Sequence, residues 1–145
     1  MKILQVPGWV AYSCDDISDK IDKDKCGKWM CYFDDQNLDF AEKICKDAVE
    51  KGIVVEAKHT NKTILQVKHT GVCCFYLNGD DVQGHKKTIK FFIDNNLIRK
   101  TKTGKYYNIA FKYDNQTRAE QYGDDFKAEI KLEDFINLET GEWKK

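Results

Sequence analysis

Two short stretches of this chain carry side chains that could bind an anion or move a proton. Lys112-Tyr113-Asp114, followed by Thr117, Arg118 and Tyr122, is the densest polar constellation in the sequence. Lys112 and Arg118 can make charge-assisted hydrogen bonds to phosphate, with Thr117 and Tyr122 as hydroxyl donors. Asp114 can orient a base or cap the turn that follows. Lys58-His59-Thr60 sets an ammonium beside an imidazole at a strand end, where both would line one concave surface. Trp9, Trp29 and Trp143 could each stack on a base, an interaction of about 1–3 kcal/mol. A tryptophan within a strand serves equally well as a large core residue. Trp9, beside Gly8, is the better-placed platform of the three, with Trp29 second.

Other chemistries find little support. There is no CxxC or HxxxH pair, and Cys26-x4-Cys31 alone is a weak metal signature, so neither a metal nor a cofactor is expected. No P-loop and no GxGxxG occurs. No nucleophile–base pair stands out, so no catalytic residue is assigned. Asp15-Asp16, Asp34-Asp35, Asp80-Asp81 and Asp124-Asp125 suit loops and helix caps better than a hydrolytic dyad. The six cysteines (14, 26, 31, 45, 73 and 74) read as reduced, buried thiols of a cytoplasmic protein. No apolar run approaches a membrane span, and the N-terminus lacks the pattern of a secretory signal.

Charge is segregated. The 145 residues carry 24 Lys+Arg and 24 Asp+Glu, a formal net charge of zero. Residues 14–50 nevertheless sum to −5, residues 84–113 to +7 and residues 120–145 to −4. The basic middle holds Lys86, Lys87 and Lys90, then Arg99 to Lys105, then Lys112. Such a cluster attracts phosphate unless the acidic arms fold over it.

The elements that would position these groups follow from periodicity. Strands are expected over 8–12, 28–33, 53–58, 64–67, 71–77 and 106–113, with a last one over 127–132. Residues 13–25 read as an acidic loop. A helix over 37–51 presents Ala41, Ile44, Cys45 and Ala48 at i, i+3, i+4 and i+7. A second helix, over 82–95, would bury Val82, His85 or Lys86, Ile89, Phe92 and Ile93 behind Asn78-Gly79-Asp80-Asp81. A chain of 145 residues suits one domain, 1–145. The order predicts an α+β protein: a curved, mainly antiparallel sheet with two principal helices on one face.

Several of these segments occur in a recognisable order. Gly27-Lys28-Trp29 opens a strand before a helix, and Glu56-Ala57-Lys58-His59-Thr60 follows that helix. An apolar strand then ends in Asn78-Gly79-Asp80-Asp81 before a second helix, and Phe111-Lys112-Tyr113-Asp114-Asn115-Gln116-Thr117 leads to Tyr122-Gly123. Over roughly residues 9–123 this resembles a small family of unknown function typified by the basophilic-leukaemia-expressed protein. The resemblance implies a fold like the eukaryotic cap-binding translation initiation factor. It transfers fold better than function. That factor holds a methylated guanine between two tryptophans, and neither Trp9 nor Trp29 aligns with them by motif.

Three functions are therefore expected, in order. The first is a non-enzymatic binding module for a nucleotide or a short nucleic-acid ligand. It would use Lys58, His59, Lys86, Lys112, Asp114, Thr117, Arg118 and Tyr122 for polar contacts and Trp9 or Trp29 for stacking. A virus-encoded protein that sequesters a nucleotide signal of bacterial defence would need the same chemistry. The second is an inhibitor that docks a protein partner through acidic segments 14–24 and 120–142. The third is a small phosphotransfer or lyase-type enzyme pairing Lys58 or Lys112 with His59. Convergence of the side chains in one place would separate the first and third from the second.

Overall fold

The structure is a computed structural model, and it describes residues 1–115 and 129–144. The chain runs β1 (Lys2–Val6), β2 (Trp9–Ser13), a single turn α1 (Ile17–Lys20), β3 (Cys26–Asp34), α2 (Leu38–Glu50) and β4 (Glu56–Thr60). It continues through α3 (Lys62–Lys68), β5 (Thr70–Asn78), α4 (Val82–Asp94), β6 (Ala110–Tyr113) and β7 (Ile130–Lys131), then a 3-10 turn at Leu132–Asp134. The described strands form one curved sheet in the order β1-β2-β4-β5-β3-β6-β7, antiparallel throughout. This is the α+β architecture expected from the alternation of elements.

Both principal helices pack on the same face of the sheet, called here the inner face. Ala41, Ile44, Cys45, Ala48 and Val49 of α2 are buried, as the i, i+3, i+4 spacing requires. In α4, Ile89 and Phe92 are buried, and the Phe92 ring meets Phe75 of β5 with centroids 5.1 Å apart. Asp81 caps α4 by accepting from the Gly84 amide at 3.0 Å. Val82, expected inside, is exposed, because the buried stripe of α4 starts one turn later at Gly84 and His85.

Three expectations need correction. Residues 64–67 are not a strand but part of α3. Their β-branched, apolar composition favours a strand, yet β4 and β5 pair antiparallel, so the connection between them must reverse direction. Asn61 starts the helix by accepting from the Ile64 amide at 3.0 Å, and His69 ends it in the left-handed conformation at φ 63°. The strand expected over 106–113 is in the sheet only from Ala110 onward. Before it, Tyr107 donates its amide to the Arg99 carbonyl at 3.0 Å and Tyr106 bridges Lys100, so these residues pair with the loop after α4. The segment 2–6, for which no strand was expected, is the edge strand β1.

Candidate functional site

Strand side chains alternate between faces, so each sheet residue has one of two surroundings. On the inner face, Trp29 is completely buried and donates its indole N–H to His85 Nδ1 at 3.0 Å. His85 Nε2 then carries the ring proton and donates to the Gly79 carbonyl at 2.8 Å. Burial holds the His85 imidazole below its ordinary value. His59 is equally enclosed: its Nδ1 donates to the Thr60 carbonyl at 2.9 Å, and Nε2 accepts from the Tyr12 hydroxyl at 3.1 Å.

The outer face, turned away from α2 and α4, carries a different set. The register aligns Ser13, Glu56, Tyr76, Lys28 and Lys112 in one row across β2, β4, β5, β3 and β6. The next row holds Ala11, Lys58, Cys74 and Met30. Beyond it, Trp9 faces Thr60, and Val72 faces Tyr32. Val72 donates its amide to Thr60 Oγ1 at 3.0 Å, which ties these two pairs into a third row.

The lysines of this face are closely engaged with its rings and carboxylates. Lys58 Nζ sits 4.1 Å from the Trp9 ring centroid and 5.5 Å from that of Tyr76. Lys28 Nζ lies 5.7 Å from the Tyr76 ring and pairs with Asp114 at 3.2 Å. Lys28 and Lys112 stand directly opposite each other, a like-charge pairing that sheets ordinarily avoid. Burial and then the Lys28 charge push the Lys112 ammonium below its ordinary value. Burial raises the Glu56 carboxyl, opposed by Lys58 and reinforced by Asp114. Cys74 is pushed up to about 11 by burial, against the pull of Lys58 and Lys28. The arrangement suits an anion more than a cation, and it offers an indole face beside an ammonium.

No protein-family model matches the chain, and no curated protein does.

The site therefore stands on its geometry. Of the residues singled out from the sequence, Trp9, Lys58, Lys112 and Asp114 share the outer face. Trp29 and His59 do not. Trp29 has no exposed ring face for a ligand, and His59 points into the core because it follows Lys58 by one residue in a strand. The pairing of Lys58 or Lys112 with His59 for catalysis is lost with it. Lys86 is exposed on α4, behind the inner face and away from the lysines of the outer face. Thr117, Arg118 and Tyr122 lie outside the described residues.

The basic middle does not act as one patch. Its helix lysines stand behind the inner face, where Lys90 pairs with Asp94 at 2.7 Å and Lys87 approaches the Gly52 carbonyl at 3.4 Å. Lys100 lies 4.9 Å from the Tyr106 ring; Lys112 is on the outer face, and Arg99 lies at its margin near Tyr32. In its place the fold recruits Lys28 from the acidic segment and Lys58 from between the segments. Sequence reasoning missed Lys28, Tyr32 and Tyr76 as site residues. The alternation in β3 could have found two of them: once Trp29 is core, Lys28 and Tyr32 must face the other way.

All six cysteines are free thiols. A hydrogen bond to Cys73 and then burial push the Cys31 thiol well above the ordinary value; Cys73, lowered by that same bond, is pushed above it by its hydrogen bond with Cys45 and by burial, so neither is a ready nucleophile. Among the described residues there is no group of three or more ligating side chains placed to hold a metal ion, and no helix is long and apolar enough to cross a membrane.

Proposed function

We propose that the outer face of the sheet binds a nucleotide or a phosphorylated, nucleic-acid-like ligand without transforming it. The observation that carries this reading is the convergence of Trp9, Lys58, Lys28 and Lys112 from four separate strands onto one face. A base would take the face of Trp9 that Lys58 now covers. The displaced ammonium would then pair with the ligand's phosphate. A second phosphate oxygen would lie between Lys28 and Lys112, with Asp114 holding Lys28 in place.

The test is a thermal-shift and native mass-spectrometry panel of mononucleotides, dinucleotides and short RNA. At a ligand concentration near 100 times Kd, linkage predicts about 2.7 kcal/mol of added stability. Lys58→Ala and Lys112→Ala should abolish the shift. No stabilisation by any member at millimolar concentration would sink the reading. Turnover of a bound ligand would move it to an enzyme.

A further inference from the structure

Three depressions meet at Tyr32. One, of about 390 Å³, lies between Trp9 and Tyr32, with Thr60 and Val72 as its floor and Ile64 and Lys68 of α3 at its end. A second, of about 590 Å³, runs from Tyr32 to Phe40 and Arg99. A third, of about 640 Å³, runs from Tyr32 past Met30 to Arg99 and Tyr107. Tyr32 is 64% exposed, Tyr107 51% and Phe40 43%, so these rings face solvent along the depressions they line. Tyr32 lines all three depressions, Phe40 the second and Tyr107 the third.

Spacing along that path sets the size of the ligand. Trp9 and Tyr32 are separated by the β2-to-β4, β4-to-β5 and β5-to-β3 steps. At about 4.8 Å per step their Cα atoms stand roughly 14 Å apart. A base stacks at about 3.4 Å from its neighbour, so one base cannot touch both rings. Two rings at this distance, with small side chains between them, instead fit separate bases of one strand, a few nucleotides apart. Lys58 and Lys68 flank the first platform, and Arg99 flanks the second. Asn37, Asn96 and Asn108 line the far end, where amides can reach base edges or sugar hydroxyls, and the Asp34 carboxylate beside Asn37 is occupied by the Gln36 amide at 3.0 Å and the Asn37 side chain at 2.6 Å.

We infer that the ligand is a single-stranded polynucleotide, laid from Trp9 over Tyr32 toward Arg99 and Tyr107, rather than a mononucleotide. The inference rests on the nucleotide reading of the outer face and adds the length and direction of the ligand. Aromatic platforms alternating with cations along a groove are the sequence-tolerant means of holding such a strand.

Fluorescence anisotropy with labelled RNA and DNA oligonucleotides of about eight residues, beside the matching mononucleotides, tests it. The oligonucleotide should bind at least about tenfold more tightly than the mononucleotide. Tyr32→Ala should weaken oligonucleotide binding about tenfold more than mononucleotide binding, while Tyr32→Phe retains affinity. With Lys58, Lys68 and Arg99 engaged, the slope of log K against log salt should be about −2, and Arg99→Ala should reduce it by about 0.7. Lys90→Ala, on the far side of the sheet, should change neither. Equal affinity for both ligands, with Tyr32→Ala silent, would overturn the strand and leave the nucleotide reading intact. Binding of neither would overturn both, and a protein retained by the immobilised chain but lost in Tyr32→Ala would then assign the groove to a protein instead.

Discussion

The two faces of the sheet are built from adjacent residues and behave as opposites. Trp29, His59 and Phe111 are dry and locked into the inner face, while their neighbours Lys28, Lys58 and Lys112 belong to the outer one. Two tryptophans make the contrast clearest. Trp29 is enclosed by His85, Phe111 and Phe135, with ring centroids 5.8, 5.8 and 6.4 Å away. Trp9 meets an ammonium instead. Tryptophan therefore has no fixed role in this protein: its role is set by which side of a strand it occupies. The same rule divides the cysteines, with Cys73 against the Cys45 and Cys31 thiols and Cys74 under the outer lysines.

The contrast breaks most visibly at the tryptophans. Trp29→Ala should cost about 3–5 kcal/mol, because it empties the centre of the core and leaves His85 without its indole donor. Trp9→Ala should cost far less stability and remove ligand binding. Urea denaturation of both variants checks this, and equal losses would erase the distinction between the faces.

The next effect concerns His85. Its folded-state value lies below the unfolded value of about 6.5, so in acid the unfolded chain takes up a proton that the native protein refuses. The neutral imidazole contributes its full stability above about pH 6.5, and that contribution declines as pH falls from there toward the depressed folded value. His85→Gln should flatten this part of the pH–stability curve and cost about 1–3 kcal/mol at neutral pH, by disturbing the acceptor for Trp29. Thermal melts between about pH 7 and pH 5 provide the measurement.

Asn61→Ala should cost about 1 kcal/mol by removing the α3 cap. Because α3 carries Ile64 and Lys68 to the end of the Trp9 groove, this variant should also weaken ligand binding, whereas Asp81→Ala at the α4 cap should cost similar stability and leave binding alone. Titration at a temperature where both variants are folded separates the two effects.

The smallest change in stability belongs to Lys58→Met. Loss of the contact with Trp9 should cost about 0.5–1 kcal/mol, partly offset by packing of the apolar side chain. Indole emission from Trp9 should shift while that of the buried Trp29 does not, a difference that a Trp143→Phe background isolates.

Much of the architecture could be read along the chain. The stripe of Ala41, Ile44, Cys45 and Ala48 and the cap at Asp81 identified α2 and α4, and the apolar run at Val72–Leu77 identified β5. These signals are local: periodicity and capping act between residues a few positions apart. Residues 64–67 were misleading because their own preference is for a strand, and the reversal between β4 and β5 that overrides it is set by pairing with distant residues. The binding face was only half legible for the same reason. Composition marked Trp9, Lys58 and Lys112 as capable of the chemistry, but Lys28 sits in an acidic segment and Arg99 in a loop. Which strands become neighbours depends on contacts between segments tens of residues apart, and that order brought Lys28 opposite Lys112 and aligned Trp9 with Tyr32. Residue types and short-range spacing decide what each strand can offer; strand order and register decide which offers meet.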